Sequence, residues 1–419
     1  MNSASNGRRR VVVTGLGCVT PIGNDVPEFW QALLAGKVGA ARLAGFDPAD
    51  SEVQIGCEVK GFDVAKRVDP KVARRADRFC QYALYAADEA VKDSGVDFAK
   101  EDPDRVGAIV GSGMGGIHTW ESQFAQYLEK GPRRVSPLLI PMMIPDMAAG
   151  QIAITYGLRG PNYDTTSACA SGAHATGVAF RHIASGDCDL MVTGGSEAAI
   201  TRFTVGAFAN MGALSKRNDA PETASRPFDR ERDGFVIAEG CGIYVIEELG
   251  HALARGAQIY CELAGFGATA DAHHITAPDP EGKGAANVMR VALGEAGLAP
   301  VDVDYINAHG TSTPLNDATE VRAIAEVFGD HAKKLAVNST KSMIGHGLGA
   351  AGSMEFVAMA LQVKHGRVHA TVNHRSPDDG VELDFVKDGP RPLAIRAALS
   401  NSFGFGGHNA CLAVKRYQP

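Results

Sequence analysis

A chain of 419 residues, 45% of them hydrophobic, can bury a large core and is too long for one simple pair of layers, so two domains or two halves are expected. Its formal net charge of −7 excludes a global attraction to nucleic acid or an anionic membrane, and leaves local basic patches as the means of holding an acidic partner. The eight cysteines show no Cys-x-x-Cys pair and no metal-ligand spacing, as expected of a reduced intracellular chain without a metal site. Residues 1–10 are polar and then basic, without the apolar core of a signal peptide, and no apolar run reaches membrane-spanning length. A soluble, cytoplasmic protein is expected.

Residues 8–17 form an apolar run ending in glycines, which predicts a buried strand that turns sharply. Helical spacing covers residues 28–35 and 77–94; between them Lys71, Arg74, Arg75 and Arg78 fall three and four apart, which puts them on one face of a helix. Such a face is ordinarily no more than solvated. Residues 105–113 read as a second strand running into glycine, and Gly-Ser-Gly-Met-Gly-Gly at 111–116 has the spacing of a dinucleotide fingerprint. The match is weak, because no second strand with a ribose-binding acid follows it. The proline- and methionine-rich stretch 135–150 argues against a regular helix before Pro145 and needs a partner subunit or a ligand to cover it. Residues 152–163 are expected to be extended, and 172–184 helical. A buried strand at 188–197, an ordered charged loop at 216–234, a strand at 243–248 and a helix reaching Gly256 complete the first half.

From residue 259 the plan restarts. Residues 259–267 end on Gly-x-Gly as the first strand does, and helices at 284–296, 317–328 and 352–363 alternate with strands at 303–310 and 335–338. The small-residue turn 338–352 repeats the style of the turn around Cys169. A duplicated α/β unit is expected, with halves 1–257 and 258–419.

Cys169 stands at the mouth of a helix, where free N–H groups and the macrodipole favour a thiolate, so it is a candidate nucleophile. A buried structural thiol is the commoner fate of such a residue. His309 and His346 each sit in a glycine-flanked turn after an apolar strand, where backbone geometry leaves a ring available. Lys341 precedes His346 by five residues, and Glu355 lies in an otherwise apolar helix. A buried acid needs a partner, so these two form either a functional pair or an ordinary salt bridge near a helix start. Asp317 and Glu320 fit the role of dipole partners at a helix start. The glycines around Phe405 permit either an N–H donor aimed at an oxyanion or a plain bend at a strand end.

Taken together, Thr-Ser-Ala-Cys169-Ala-Ser-Gly, Asn307-Ala-His309-Gly-Thr-Ser-Thr-Pro, Ser339-Thr-Lys341-Ser-Met-Ile-Gly-His346 and Asn401-Ser-Phe-Gly-Phe405-Gly-Gly resemble the β-ketoacyl-acyl-carrier-protein synthases, the condensing enzymes of fatty acid synthesis, most closely the synthase II type. The resemblance covers nearly the whole chain. It implies the thiolase fold, an α/β architecture of five layers (αβαβα) built from two duplicated halves, and a homodimer. It implies Cys169 as the acyl-accepting nucleophile, His309 and His346 as the pair that promotes decarboxylation of a malonyl thioester, and Lys341 with Glu355 as their support. The N–H groups of Cys169 and Phe405 become the oxyanion hole, with the Phe405 ring as gate. Met114, Phe208, Thr311 and Thr313 fall at substrate-binding positions. The implied partner is an acidic acyl carrier protein, acyl- or malonyl-loaded, so Lys71, Arg74, Arg75, Arg133 and Arg134 become its docking patch; no cofactor is implied. His408 stands where the family more often has threonine, and Met114 where it often has isoleucine. A polyketide ketosynthase, a thiolase and a non-catalytic chain-length-factor subunit are the rival readings. The last lacks the cysteine kept here, and a thiolase places a second reactive cysteine where this chain has Phe405.

Overall fold

A computed structural model describes residues 8–378, 380 and 382–418; most of the polar stretch 1–10 lies outside them. Ten strands in chain order build one sheet: β1 (Val11–Val19), β2 (Val106–Gly111), β3 (Asn162–Thr165), β4 (Leu190–Glu197), β5 (Gly240–Glu248), β6 (Cys261–Ala270), β7 (Tyr305–Asn307), β8 (Ala336–Asn338), β9 (Ala397–Gly404) and β10 (His408–Lys415). Their spatial order is β8-β7-β9-β10-β6-β1-β5-β4-β2-β3. Each run of five follows the same plan. Its first strand lies at the centre, its third at the outer edge, and the strands between include parallel pairs joined through helices. The two runs meet where β1 pairs antiparallel with β6, over Val11–Val13 only.

Three buried clusters place the layers. The helices Arg78–Ser94 and Met147–Tyr156 cover the outer face of the first five strands. Lys283–Ala296 and Pro314–Phe328 cover the outer face of the second five. Between the two runs of five strands lie Ser171–Ser185 and Ala351–His365. In the latter every residue from Ala351 to Val363 is buried, as a helix apolar on all sides must be. This is the five-layer αβαβα arrangement of the thiolase fold. Among the described residues no helix is long and apolar enough to cross a membrane.

Four local expectations are corrected. First, β1 does not turn at its glycines but continues through Gly15 and Gly17 to Val19, with a shift of register between Val13 and Gly15. A Cβ there would fall 2.1 Å from the Ala90 carbonyl oxygen and 2.0 Å from that of Ala86, so the glycines let the helix Arg78–Ser94 lie directly on the strand. The second half repeats the device: Cβ atoms at Gly265 and Gly267 would meet the carbonyls of Ala292 and Val288 in the helix Lys283–Ala296, at 2.5 and 2.2 Å.

Second, residues 152–163 are not one extended segment. The helix Met147–Tyr156 buries Ala148, Ala149, Ile152 and Ala153 on one face and ends at Gly157 in the left-handed region, and only then does β3 begin. Third, the stretch before Pro145 holds a five-residue helix, Leu139–Met143, with Pro141 in its first turn, where its missing N–H costs nothing. Fourth, Lys71, Arg74, Arg75 and Arg78 share no single helix. Pro70–Ala73 is one short turn, capped by Asp69, and a new helix starts at Arg78 behind its own cap, Asp77. Arg78 instead pairs with buried Glu239 at 3.2 Å and lies over the Tyr82 ring.

Candidate active site

Cys169 sits in a tight turn, Ala168–Ala170, between the edge strand β3 and the helix Ser171–Ser185. Ala168 is held at φ +50°, a left-handed conformation that a non-glycine residue adopts only under constraint. The constraint is Ser171, whose hydroxyl donates to the Ala168 carbonyl at 2.7 Å and accepts from the Ser167 N–H at 2.9 Å. The residue is 7% exposed. Burial pushes its thiol up to about 12, against the opposing pull of Lys341 and the backbone N–H groups of Phe405 and Cys169. Burial thus opposes the thiolate that the helix mouth favours.

His309 follows β7 in a turn whose backbone is tied down by two acids of the next helix. Glu320 accepts from the N–H groups of His309 and Gly310, both at 2.8 Å, and Asp317 from those of Thr311 and Ser312 at 3.0 and 3.1 Å. These acids, read from sequence as dipole partners, hold the turn itself. Asn401 adds an amide donor to Glu320 at 3.1 Å. Burial raises both carboxyls, Glu320 to about 7, while the N–H donors resist it.

His346 is fixed through its backbone, donating to Val236 O at 2.7 Å and accepting from Ala238 N–H at 2.9 Å. Its ring meets that of His309 nearly at right angles, centroids 5.4 Å apart, and packs edge-on to Phe235. Burial first, then the Lys341 charge, holds both imidazoles well below the ordinary histidine range, so both are neutral at physiological pH. Lys341 donates to the His309 carbonyl at 2.6 Å and approaches its Nδ1 at 3.4 Å. With Nδ1 accepting, the His309 proton sits on Nε2. The same ammonium pairs with Glu355, and both side chains are at most 1% exposed. Burial raises the Glu355 carboxyl and the lysine opposes that.

Phe405 lies in the glycine turn between β9 and β10, with its N–H directed at the Cys169 sulfur. A Cβ on Gly404 would fall 2.5 Å from the Ser167 carbonyl, so only glycine lets this turn approach the cysteine turn so closely. Gly406 donates to Ile275 O at 2.8 Å, Asp271 N–H to Gly407 O at 2.9 Å, and the Asn409 amide to the Asp271 carboxylate at 2.7 Å. Residues 271–275 thus dock the glycine turn, and nothing in that polar stretch signalled it. His408 is exposed at the start of β10, with its ring beside Gly406.

One cavity of about 480 Å³ is lined by Met114, Cys169, Phe208, His309, Thr311, Thr313, His346 and Phe405. Lys341 and Glu355 stand behind it. Its wall also carries Asp233 and Asp271, which come from outside the four motifs. Lys71, Arg74, Arg75, Arg133 and Arg134 are exposed on the surface and are not part of this lining. The dinucleotide-like glycines make no phosphate cradle, because the N–H groups of Gly113 and Met114 are taken by the Glu197 carboxylate.

This geometry brings one thiol, the N–H groups of Cys169 and Phe405 and two imidazoles to one cavity. Residues 8–252 match the family described as "Beta-ketoacyl synthase, N-terminal domain", and 260–375 its C-terminal domain. The chain is 50% identical to the 3-oxoacyl-[acyl-carrier-protein] synthase 2 of Synechocystis sp. over 98% of this chain and 99% of the relative. The synthase of the same name from Staphylococcus aureus is similar to the same degree. Among solved structures, the ishigamide ketosynthase/chain length factor superposes with a TM-score of 0.92 at 35% identity, over 98% of this chain and 100% of that one. A type II PKS ketosynthase solved with its acyl-carrier protein and bound to the hexaketide gives 0.91 at 34%, with the same coverage. With both halves matched and relatives of equal length at half identity, the chain belongs to the beta-ketoacyl synthase family.

Proposed function

We propose that the protein is a 3-oxoacyl-[acyl-carrier-protein] synthase that elongates fatty acids by decarboxylative Claisen condensation. The convergence of the Cys169 thiol, two aimed N–H groups and two neutral imidazoles in one buried cavity carries this reading. Cys169 attacks the thioester of an acyl chain on its carrier, and the developing oxyanion is met by the N–H groups of Cys169 and Phe405. The carrier's thiol departs with the proton that Cys169 loses. A malonyl-loaded carrier then enters, and His309, through Nε2–H, and His346 hydrogen-bond its thioester oxygen. The bond to the carboxylate carbon breaks, CO2 leaves, and the enolate attacks the acyl carbon on sulfur. The departing thiolate takes a proton from water. Neutral donors suit this step, because an imidazolium would protonate the enolate before it formed the carbon–carbon bond.

In this reading Lys341 and Glu355 orient His309, and Met114, Phe208, Thr311 and Thr313 bind the substrate. Residues 1–257 supply the nucleophile and 258–419 both histidines. The basic residues Lys71, Arg74, Arg75, Arg133 and Arg134 receive the acidic carrier, and reversing the first three to Glu slows turnover of carrier-bound substrate; unchanged turnover would remove them from the docking face. The protein acts as a homodimer through the open edge of β3 and the neighbouring apolar surface, where Leu128 is 69% and Ile154 79% exposed. A sedimentation mass of one chain would rule this out. The described cysteines are all free, which supports a cytoplasmic setting.

A polyketide ketosynthase is the second reading, supported by structural neighbours at 34–35% identity against 50% for the synthase 2 relatives. The thiolase reading fails on Cys411, which lies within β10 opposite Gly267 and is fully buried. The Cys169→Gln protein separates the half-reactions: it releases CO2 from a malonyl-loaded carrier and forms no condensation product. A Gln variant that folds but releases no CO2 would contradict the roles given to His309 and His346.

A further inference from the structure

Glu197 ends β4 behind the cavity, and its side chain is fully buried. Its four partners are uncharged. The N–H groups of Gly113 and Gly349 donate to Oε2 at 2.7 and 3.0 Å, and the Met114 N–H and Ser112 hydroxyl to Oε1, both at 3.2 Å. The donors come from both halves of the chain. Ser112, Gly113 and Met114 form the turn that ends at the cavity wall, and Gly349 follows His346 by three residues. The contact is close on every side. A Cβ on Gly349 would lie 2.3 Å from Gly113 N and 2.7 Å from the carboxylate, and one on Gly113 would lie 2.8 Å from the same oxygen. A buried carboxylate facing only neutral donors is costly to keep. Burial lifts this one to about 7 despite its donors.

We propose that Glu197 is a positioning residue that clamps the wall at Met114 to the turn behind His346, so that one buried carboxylate fixes the width of the acyl-pocket mouth. This rests on the reading of Met114 as that pocket's wall. Glutamine keeps the shape but turns an NH2 group toward one set of N–H donors, which opens one side of the clamp. Aspartate keeps the charge but is one methylene too short to reach both sides. Charge gives a second readout. Cys169 is faced by Lys341, by the two neutral imidazoles of His309 and His346, by Asp233 and Asp271 of the cavity wall, and by Glu197, whose carboxylate disfavours the thiolate.

The test uses N-alkylmaleimides of short and long chain on the full protein, with alkylation of the Cys169 peptide followed by mass spectrometry across pH. The parent's long-to-short rate ratio should change by roughly fivefold in both Glu197→Gln and Glu197→Asp. Between pH 7 and 9, where the Glu197 carboxylate is charged, overall alkylation should rise in the Gln variant alone, because only that variant removes the charge that disfavours the thiolate. A parent-like ratio in folded Glu197→Gln protein would overturn the clamp, and Glu197→Asp decides the matter if the Gln protein does not fold. The probe needs no carrier. A changed ratio in a protein that never accepts an acyl thioester would therefore sink the proposed function and leave the clamp standing.

Discussion

Lys341 is the residue on which the proposed chemistry of the second half turns, because one ammonium serves two partners. It pairs with Glu355 in a helix with no other charged residue in its buried stretch, and it approaches His309 Nδ1 at 3.4 Å, which with that nitrogen accepting leaves the ring proton on Nε2. Lys341→Met should cost about 3–5 kcal/mol, since it strands Glu355 without a cation, and should slow malonyl decarboxylation about a hundredfold. The sign of the accompanying pH effect follows from the charge. Lys341 lowers the His309 pKa, so its removal lets His309 protonate at higher pH and moves the acid limb of the decarboxylation profile upward. Parent-like decarboxylation in a folded Lys341→Met protein would show that His309 needs no such support. The thiol teaches a related lesson. The burial that opposes a thiolate at Cys169 is a property of the fold that no local stretch of sequence displays.

At the scale of elements, the site is an assembly of turns held by their neighbours. The glycine turn meets the cysteine turn at Gly404, where a Cβ would fall 2.5 Å from the Ser167 carbonyl and 3.2 Å from the Cys169 nitrogen. Gly404→Ala should push the Phe405 N–H away from the sulfur and slow acyl loading by about 10²–10³-fold with little loss of global stability; loading at the parent rate would show that this N–H is not an oxyanion donor. The turns carrying Cys169, His309, His346 and Phe405 were legible in the sequence, because small residues between an apolar run and a helix leave a recognisable trace. What holds them was less so. Asp317 and Glu320 look like ordinary helix-start acids until the folded turn presents its N–H groups to them, and residues 271–275 carry no pattern that foretells their docking on Gly406 and Gly407. The glycines of β1 were misread as a turn because close packing of a helix on a strand demands the same residue as a bend does.

At the scale of the molecule, the duplication was visible in the repeated Gly-x-Gly strand, and its physical meaning is the same in both halves: a helix laid directly on the central strand. One ion network ties the first half together near its centre. Glu247 of β5, fully buried, holds Arg255, His251 at 2.7 Å and the Thr14 hydroxyl of β1, while His251 reaches Glu101 at 2.9 Å. The Glu247 hydrogen bond, aided by Glu101 and opposed by burial, raises His251 from 6.5 to about 9. The folded state therefore favours the imidazolium. Its contribution is complete below pH 6.5 and is lost as pH rises through 9. Denaturant unfolding should find His251→Gln less stable than the parent by up to ~3 kcal/mol at pH 6, with the two converging near pH ~10; a gap independent of pH would contradict the network. The central claim concerns carbon–carbon bond formation at Cys169, and intact-mass measurement tests it most directly. Offered an acyl-loaded carrier, the protein should gain the mass of that acyl group on Cys169. Malonyl-loaded carrier should then remove it as a chain two carbons longer, with one CO2 released. A protein that gains no acyl mass, or that loses it only by hydrolysis, would contradict the account.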